Sequence, residues 1–189
     1  MGTVHPNNYP EVEGWMFDGD LDHLRELAFG GYFSAPHTPI LEIGSYCGLS
    51  TLVLSEFAHV DCVDPFRGGG DLPIRDTYDD FVRNLATHYR LNRVDRRNRV
   101  VAYRERSASF FANRPTRDRY RMAFIDGSHV YEDVVADIYG CLEAVVAGGV
   151  VVLDDYAWLD QWGDCPVRRA ADRFGFAPVR GTKMAERFA

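Results

Sequence analysis

"PILEIGSYCGLSTLVL", residues 39–54, decides the fold. Ile40, Leu41 and Ile43 make a short apolar run with little alternation, stopped by Gly44, and after Gly48 the apolar residues Leu49, Leu52 and Val53 return at helical spacing. A short continuous apolar run bounded by glycine suits a strand buried on both faces. The stretch is therefore a strand, a glycine turn and a helix. The turn would cradle a phosphate, bind some other cofactor, or only make a tight corner.

The same alternation extends outward. Leu21, Leu24, Leu27 and Ala28 recur at helical spacing from Asp18 to Phe29, with Asp18 or Asp20 as the N-cap. After the opening unit come a strand at "HVDCVD", a long loop from Pro65 to Thr77, and a helix from Tyr78 to Arg90. Next are a strand at "RVVAYRE", a short helix at "SASFFANR" and a strand at "YRMAFID". A helix through "YEDVVADIYGCLEAVV" leads to a break at Gly148 and Gly149, then the strand "VVVLDD". The helix "CPVRRAADRFG" carries Pro166 in its first turn, and short strands near "FAPVR" and "KMAERF" close the chain. Strands alternating with helices predict an α/β fold: a doubly wound, mostly parallel sheet of about seven strands with helices on both faces.

Length and composition bound the rest. A chain of 189 residues suits one domain, here an N-terminal arm over 1–14 and a single domain over 15–189. Hydrophobic and charged shares of 46% and 26% are those of a soluble globular protein, and no apolar run reaches the length of a membrane span. The first residues have neither the basic nor the apolar region of a secretory signal, so a cytoplasmic location without a membrane partner is expected. A net charge of −7 argues against nucleic acid as a partner. Arginines crowd between Arg90 and Arg121, but the chain has a single lysine among its 21 basic residues, so a general preference for arginine on solvated faces is the expected reading, with an anionic-ligand patch as the alternative. Cys47, Cys62, Cys141 and Cys165 form no C-x-x-C pair and are expected as free, packed thiols.

In a doubly wound sheet, ligands gather at the carboxyl ends of the strands, where strand order reverses. Glu42, Asp64, Asp126, Asp154 and Asp155 all fall at such ends. Any one of them would serve equally well as a helix cap; five at one edge suggest a site. A dinucleotide site wants G-x-G-x-x-G, but Tyr46 stands where the second glycine belongs, and the Gly-Lys-Ser/Thr of a Walker loop is absent. A phosphate cradle is therefore disfavoured.

"EIGSYCGLST" resembles the first motif of class I S-adenosylmethionine-dependent methyltransferases, and "VDCVDPF" resembles their second-strand motif. "FIDGSHVYEDVVADI", then "AGGVVVLDDY" and "PVRRAADRF", are similar to the branch of macrocin-type O-methyltransferases and cephalosporin hydroxylase-like proteins. The resemblance spans the chain from about Trp15 onward. It implies that Glu42, Gly44 and Ser45 line the methionine end of the cofactor with Ser50 at the following helix start, and that Asp64 takes the ribose diol. Phe66 and Ser107 would border the adenine, and Asp126 would also lie at the cofactor site. Each has a plainer alternative: Ser50 and Ser107 as helix caps, Phe66 as packing beneath the loop.

Asp126, Asp154 and Asp155 form an all-oxygen set suited to magnesium or another hard divalent cation, and the resemblance implies that these acids bind magnesium. Successive strand side chains point apart, so the chain must turn at Asp154 for the pair to face one ion. His129 is a candidate general base, with Asp126 as its rival and a turn-ordering histidine as the plainer reading. Trp158 and Trp162 would roof a substrate pocket or pack in the core.

The leading expectation is an S-adenosylmethionine-dependent O-methyltransferase, assisted by a divalent metal, acting on a hydroxyl of a small molecule such as a sugar or natural-product precursor. The alternatives are a non-catalytic cofactor-binding module and a metal-independent methyltransferase. A nicotinamide reductase is opposed by Tyr46, and a nucleic-acid methyltransferase by the acidic balance and the lack of an Asn-Pro-Pro-aromatic motif. The loop over 65–77 is the expected lid, and the arm would mediate a homodimer or complete the site.

Overall fold

The computed structural model describes residues 9–34, 37–68, 74–91, 98–117 and 119–189. The centre of the expected lid, including Gly69 and Gly70, and the arginines Arg93, Arg96 and Arg97 lie outside them.

Helix α1 spans Asp18–Ser34, and the strand of the opening stretch is β1, Ile40–Ile43, followed by α2, Leu49–Ser55. Then come β2 (Val60–Val63), α3 (Tyr78–Arg90), β3 (Val100–Tyr103), α4 (Ser107–Asn113), β4 (Tyr120–Ile125) and α5 (Tyr131–Ala144). The chain ends with β5 (Val145–Leu153), α6 (Pro166–Arg173), β6 (Ala177–Pro178) and β7 (Ala185–Phe188). Among the described residues no helix is long and apolar enough to cross a membrane.

The seven strands lie in the order β3-β2-β1-β4-β5-β7-β6. The first five are parallel, and β7 runs antiparallel to both β5 and β6. Every residue of β1, β2 and β4 is buried, as the continuous apolar runs required. Alternate strand residues serve two cores. Ile40, Val60, Met122, Phe124 and Val152 pack with Leu24, Leu52 and Phe81 of α1, α2 and α3. Leu41, Ile43, Ala123, Ile125, Val151 and Leu153 pack with Phe110, Ile138 and Val167 of α4, α5 and α6. That is the doubly wound arrangement.

Two expectations change in detail. Asp18 is the first residue of α1, and it is Asp20, in the third position, that caps: its Oδ2 accepts the N–H of Phe17 at 2.9 Å. Gly148 and Gly149 do not interrupt the chain between helix and strand. β5 begins directly at Val145, and the two glycines sit in a bulge where its register with β4 shifts between Tyr120 and Met122. A Cβ on Gly149 would lie 2.5 Å from the carbonyl oxygen of Arg121, so glycine is what lets the bulge approach β4. Within the arm, Tyr9 is fully buried in the α1–α3 core and donates to Glu56 at 2.8 Å.

Candidate functional site

The site is assembled by strand register. Ile43 pairs with Val63 on one side and with Ile125 on the other, and Ile125 pairs with Leu153. The next residue of each strand is therefore at one level, giving the row Asp64, Gly44, Asp126, Asp154. Ladder bonds carry on into this row: Gly44 N–H to Val63 O at 3.0 Å, Asp126 N–H to Ile43 O at 2.8 Å, Asp154 N–H to Ile125 O at 2.9 Å. The row straddles the point between β1 and β4 where strand order reverses, the place where such sheets bind ligands.

Gly44 has φ +86, and a Cβ there would stand 2.0 Å from the carbonyl oxygen of Asp126. Glycine is required by the backbone of β4 as much as by any ligand. Tyr46 also takes a left-handed conformation, φ 44, where glycine would be easier. Its hydroxyl donates to Glu13 at 2.6 Å and its ring lies 5.1 Å from that of Trp15, so Glu13 and Trp15 lie against the turn.

Glu42 lies beneath the turn. It has no exposed surface, and it accepts hydrogen bonds from Ser45 (2.7 Å), Ser50 (2.6 Å) and Thr51 (2.5 Å). Burial pushes its pKa up, a rise those donors only partly offset. The resemblance implied Glu42, Gly44 and Ser45 along the cofactor's methionine end with Ser50 at the following helix start; the side chains of Ser45 and Ser50 bond Glu42 and tie β1 to α2. Ser50 does not cap, since α2 is capped by Gly48 in left-handed conformation.

Asp64 is half-buried and well held. Oδ2 accepts the N–H groups of Ser45 and Tyr46 at 2.7 and 2.9 Å, and among the described residues Oδ1 accepts only that of Phe66. A carboxylate has about four lone-pair sites, so acceptor capacity remains for a hydroxyl. Phe66 packs inward, as the plainer alternative had it. It has φ 55, no exposed surface, and a ring 5.2 and 4.9 Å from those of Tyr78 and Phe81. Ser107 is the first residue of α4 and bonds to the carboxyl of Asp137 on α5, which burial raises to about 6.

Beyond β4 and β5 the acids meet a basic residue that the motifs did not point to. Leu153 pairs with Ala185 in the antiparallel β5–β7 ladder, so continuing two residues brings Asp155 opposite Lys183, and the Tyr156 N–H donates to Lys183 O at 2.8 Å. Lys183 Nζ bonds Asp154 Oδ2 at 2.5 Å and Asp155 Oδ1 at 2.8 Å. The turn that the acidic pair needed is made at Asp155, φ 56, and both acids do face one cation, which is the lysine.

Asp155 Oδ2 is 3.0 Å from His129 Nε2, and the imidazole lies 4.5 Å from the ring of Trp158. Donor atoms of Asp126, His129 and Asp155 all lie within 4.8 Å of one another. The expected trio Asp126, Asp154, Asp155 is thus not the one assembled. Asp154 is taken by Lys183, and His129 stands in its place, adding a nitrogen to an otherwise oxygen set. A cavity of about 10 Å³, room for about one water, lies against Asp126, His129 and Asp154, with Val134, Leu153 and Val167 on its apolar side.

Electrostatics separates the three acids. Asp126 is raised by burial and then by Asp154, and among the described residues no donor reaches its carboxylate. Asp154, 2% exposed, is raised to about 6 by burial against the pull of Lys183, and its Oδ1 is buried without a partner among the described residues. Burial would raise Asp155 too, but hydrogen bonds from His129 and Lys183 hold it below the usual range. For Lys183 burial opposes the charge, yet Asp154, Asp126 and Asp155 together push its pKa up. Cys47, which stands just ahead of α2, is raised to about 11 by burial and is packing, not a nucleophile. Trp162 is 81% exposed and lies away from the core.

A sequence model of the family described as "Methyltransferase domain" matches residues 41–156, more than half of the chain and the whole row of acids. The chain belongs to that family, with the fold of class I S-adenosylmethionine-dependent methyltransferases. No curated protein sequence matches the chain. Solved structures of similar fold include a putative O-methyltransferase from Klebsiella pneumoniae, at TM-score 0.65 and 15% identity over 97% of this chain and 86% of that one. Another is the O-methyltransferase TomG from Streptomyces achromogenes, involved in tomaymycin synthesis and solved with S-adenosylmethionine. It aligns at TM-score 0.61 and 15% identity over 95% and 83% of the two chains. A third, CalS11, a TDP-rhamnose 3'-O-methyltransferase of calicheamicin biosynthesis, aligns at TM-score 0.59 and 16% identity over 96% and 84%.

Proposed function

We propose that this methyltransferase moves the methyl group of S-adenosylmethionine to a hydroxyl of a small molecule, a sugar or natural-product precursor, with a divalent cation on Asp126, His129 and Asp155. The observation that carries the reading is the in-register row of Asp64, Gly44, Asp126 and Asp154 at the switch point, inside the region the family model matches. That TomG was solved with S-adenosylmethionine and that CalS11 acts on TDP-rhamnose support this cofactor and acceptor class.

S-adenosylmethionine supplies an electrophilic methyl group for in-line displacement, which leaves the protein to position the acceptor and take its proton. Asp64 offers acceptor capacity to a ribose hydroxyl. Asp126, with no protein donor among the described residues, lines the same small cavity as His129. Asp155 orients the imidazole through Nε2 and Trp158 supports the ring, which leaves one ring nitrogen of His129: it receives the acceptor's proton in a metal-free site, whereas with an ion on that nitrogen the carboxylate of Asp126 is the group left to take it. Donor atoms this close fit one divalent ion at ordinary ligand distances of about 2.0–2.6 Å. Bound there, such an ion would supply positive charge that lowers the acceptor hydroxyl's pKa.

One observation favours a second reading, a metal-independent enzyme: Lys183 already brings positive charge to the acid pair. A methylation screen over polyhydroxylated acceptors, with and without chelator, separates the two. Activity lost with chelator and restored by magnesium or manganese supports the metal. Activity indifferent to chelator and to Asp155→Ala sinks it, and absence of any transfer despite cofactor binding would leave a binding module.

A further inference from the structure

We propose that Lys183 is the resident cation of the acidic site, filling the position that an ion chelated by the neighbouring pair Asp154 and Asp155 would take, so that a divalent ion is confined to the Asp126, His129 and Asp155 face. This rests on the metal reading above only for the second half of the statement.

The ammonium stands 2.5 Å from Asp154 Oδ2 and 2.8 Å from Asp155 Oδ1. A metal ion bridging the same two oxygens would need bonds of about 2.0–2.6 Å, so ion and ammonium compete for one space. Nothing about the lysine's placement is casual. Its backbone N–H donates to Asp20 Oδ1 at 3.0 Å, and Asp20 is fully buried at the start of α1. Its carbonyl accepts from Tyr156, and the β5–β7 ladder fixes its height opposite Asp155. Asp155 in turn takes the left-handed conformation that a non-glycine residue avoids, and so offers Oδ1 to the lysine while Oδ2 meets His129.

Side-chain type points the same way. The sequence has 21 basic residues and uses lysine once, here. A guanidinium is a planar fork, whereas an ammonium is a compact point charge that can replace a small cation between two carboxylates. Lys183 is thus a positioning residue: by clamping Asp154 and Asp155 it aims the remaining oxygen of Asp155 at His129. Asp154 is the lysine's partner and not a metal ligand, although its motif position suggests otherwise.

The test is manganese binding to the full chain, followed by the electron paramagnetic resonance signal of free Mn2+, a readout independent of activity. Asp154→Asn in the otherwise unaltered chain is expected to leave Mn2+ affinity within about twofold. Lys183→Met frees the pair and is expected to tighten Mn2+ about tenfold or more, with the gain lost on adding Asp154→Asn. Lys183→Gln, one atom shorter and uncharged but still carrying an N–H donor group, should give the same direction if the Met variant folds poorly. Mn2+ bound by Lys183→Met but not by the unaltered chain upholds the lysine's role and overturns the metal reading alone. Affinity unchanged in both lysine variants, no binding in any variant, or a tenfold loss from Asp154→Asn alone would overturn the proposal.

Discussion

Replacing Gly44 by alanine isolates the contact that sets the site. Gly44 (φ +86) and Gly148 (φ +79) both need a left-handed backbone, but their surroundings differ. A Cβ on Gly148 meets nothing within 4 Å, whereas one on Gly44 would lie 2.0 Å from Asp126 O and 2.5 Å from Asp126 C. The conformational cost for an L-residue, roughly 1–2 kcal/mol, is common to both variants. Gly44→Ala adds a clash between backbones already fixed by the pairing of Ile43 with Ile125, and overpacking of this kind costs about 1–3 kcal/mol more. At roughly 2–4 °C per kcal/mol for a chain of this size, Gly148→Ala should lower Tm by about 2–8 °C and Gly44→Ala by about 4–20 °C. Paired thermal and urea melts on the cofactor-free protein provide the measurement, read as the difference between the two variants. Equal losses in the pair would refute the claim that the backbone of Asp126 occupies the Cβ position of Gly44.

Other expectations follow from the same geometry. Tyr9→Ala removes a fully buried ring and its bond to Glu56, and should cost about 3–5 kcal/mol in a urea melt; a loss under about 1 kcal/mol would mean the arm is not part of the core. Asp137 is raised by burial from 3.8 to about 6, so the folded chain keeps a proton there that the unfolded chain has released. Its contribution is full below pH 3.8 and is lost as pH rises through about 6, on the order of 3 kcal/mol in all. Asp137→Asn should remove that share of the fall in stability between pH 4 and 6.5, and an unaltered slope would contradict it. All four cysteines are buried, so a thiol reagent at pH 8 should label the native chain far more slowly than the urea-unfolded chain; fast native labelling of Cys47 would contradict its packing role.

Most of the fold could be read locally, because buried parallel strands announce themselves as unbroken apolar runs and the helices between them keep their period. Tyr78–Arg90 is a helix with the expected ends. The bulge at Gly148 and Gly149 was not legible, since the glycines look like a break unless the approach of β5 to Arg121 is known. The direction of a side chain was likewise hidden. Phe66 sits beside an acid at a strand end, yet a positive φ turns its ring inward against Phe81. Lys183 is the clearest case. Its meeting with Asp154 and Asp155 depends on an antiparallel pairing between segments 28 and 29 residues apart, which no local pattern specifies. The only signal was compositional, one lysine in a chain that otherwise uses arginine.

The central claim is that the switch-point edge of this sheet binds S-adenosylmethionine through Asp64 and the Gly44 turn. Isothermal calorimetry with S-adenosylmethionine tests it most directly, on the full chain and on Asp64→Ala. The account predicts one cofactor per chain, with binding lost or weakened at least tenfold in the variant while its far-ultraviolet circular dichroism stays that of the unaltered protein. A folded, unaltered chain that gives no binding heat across several temperatures, or an Asp64→Ala variant that binds as tightly, would contradict it.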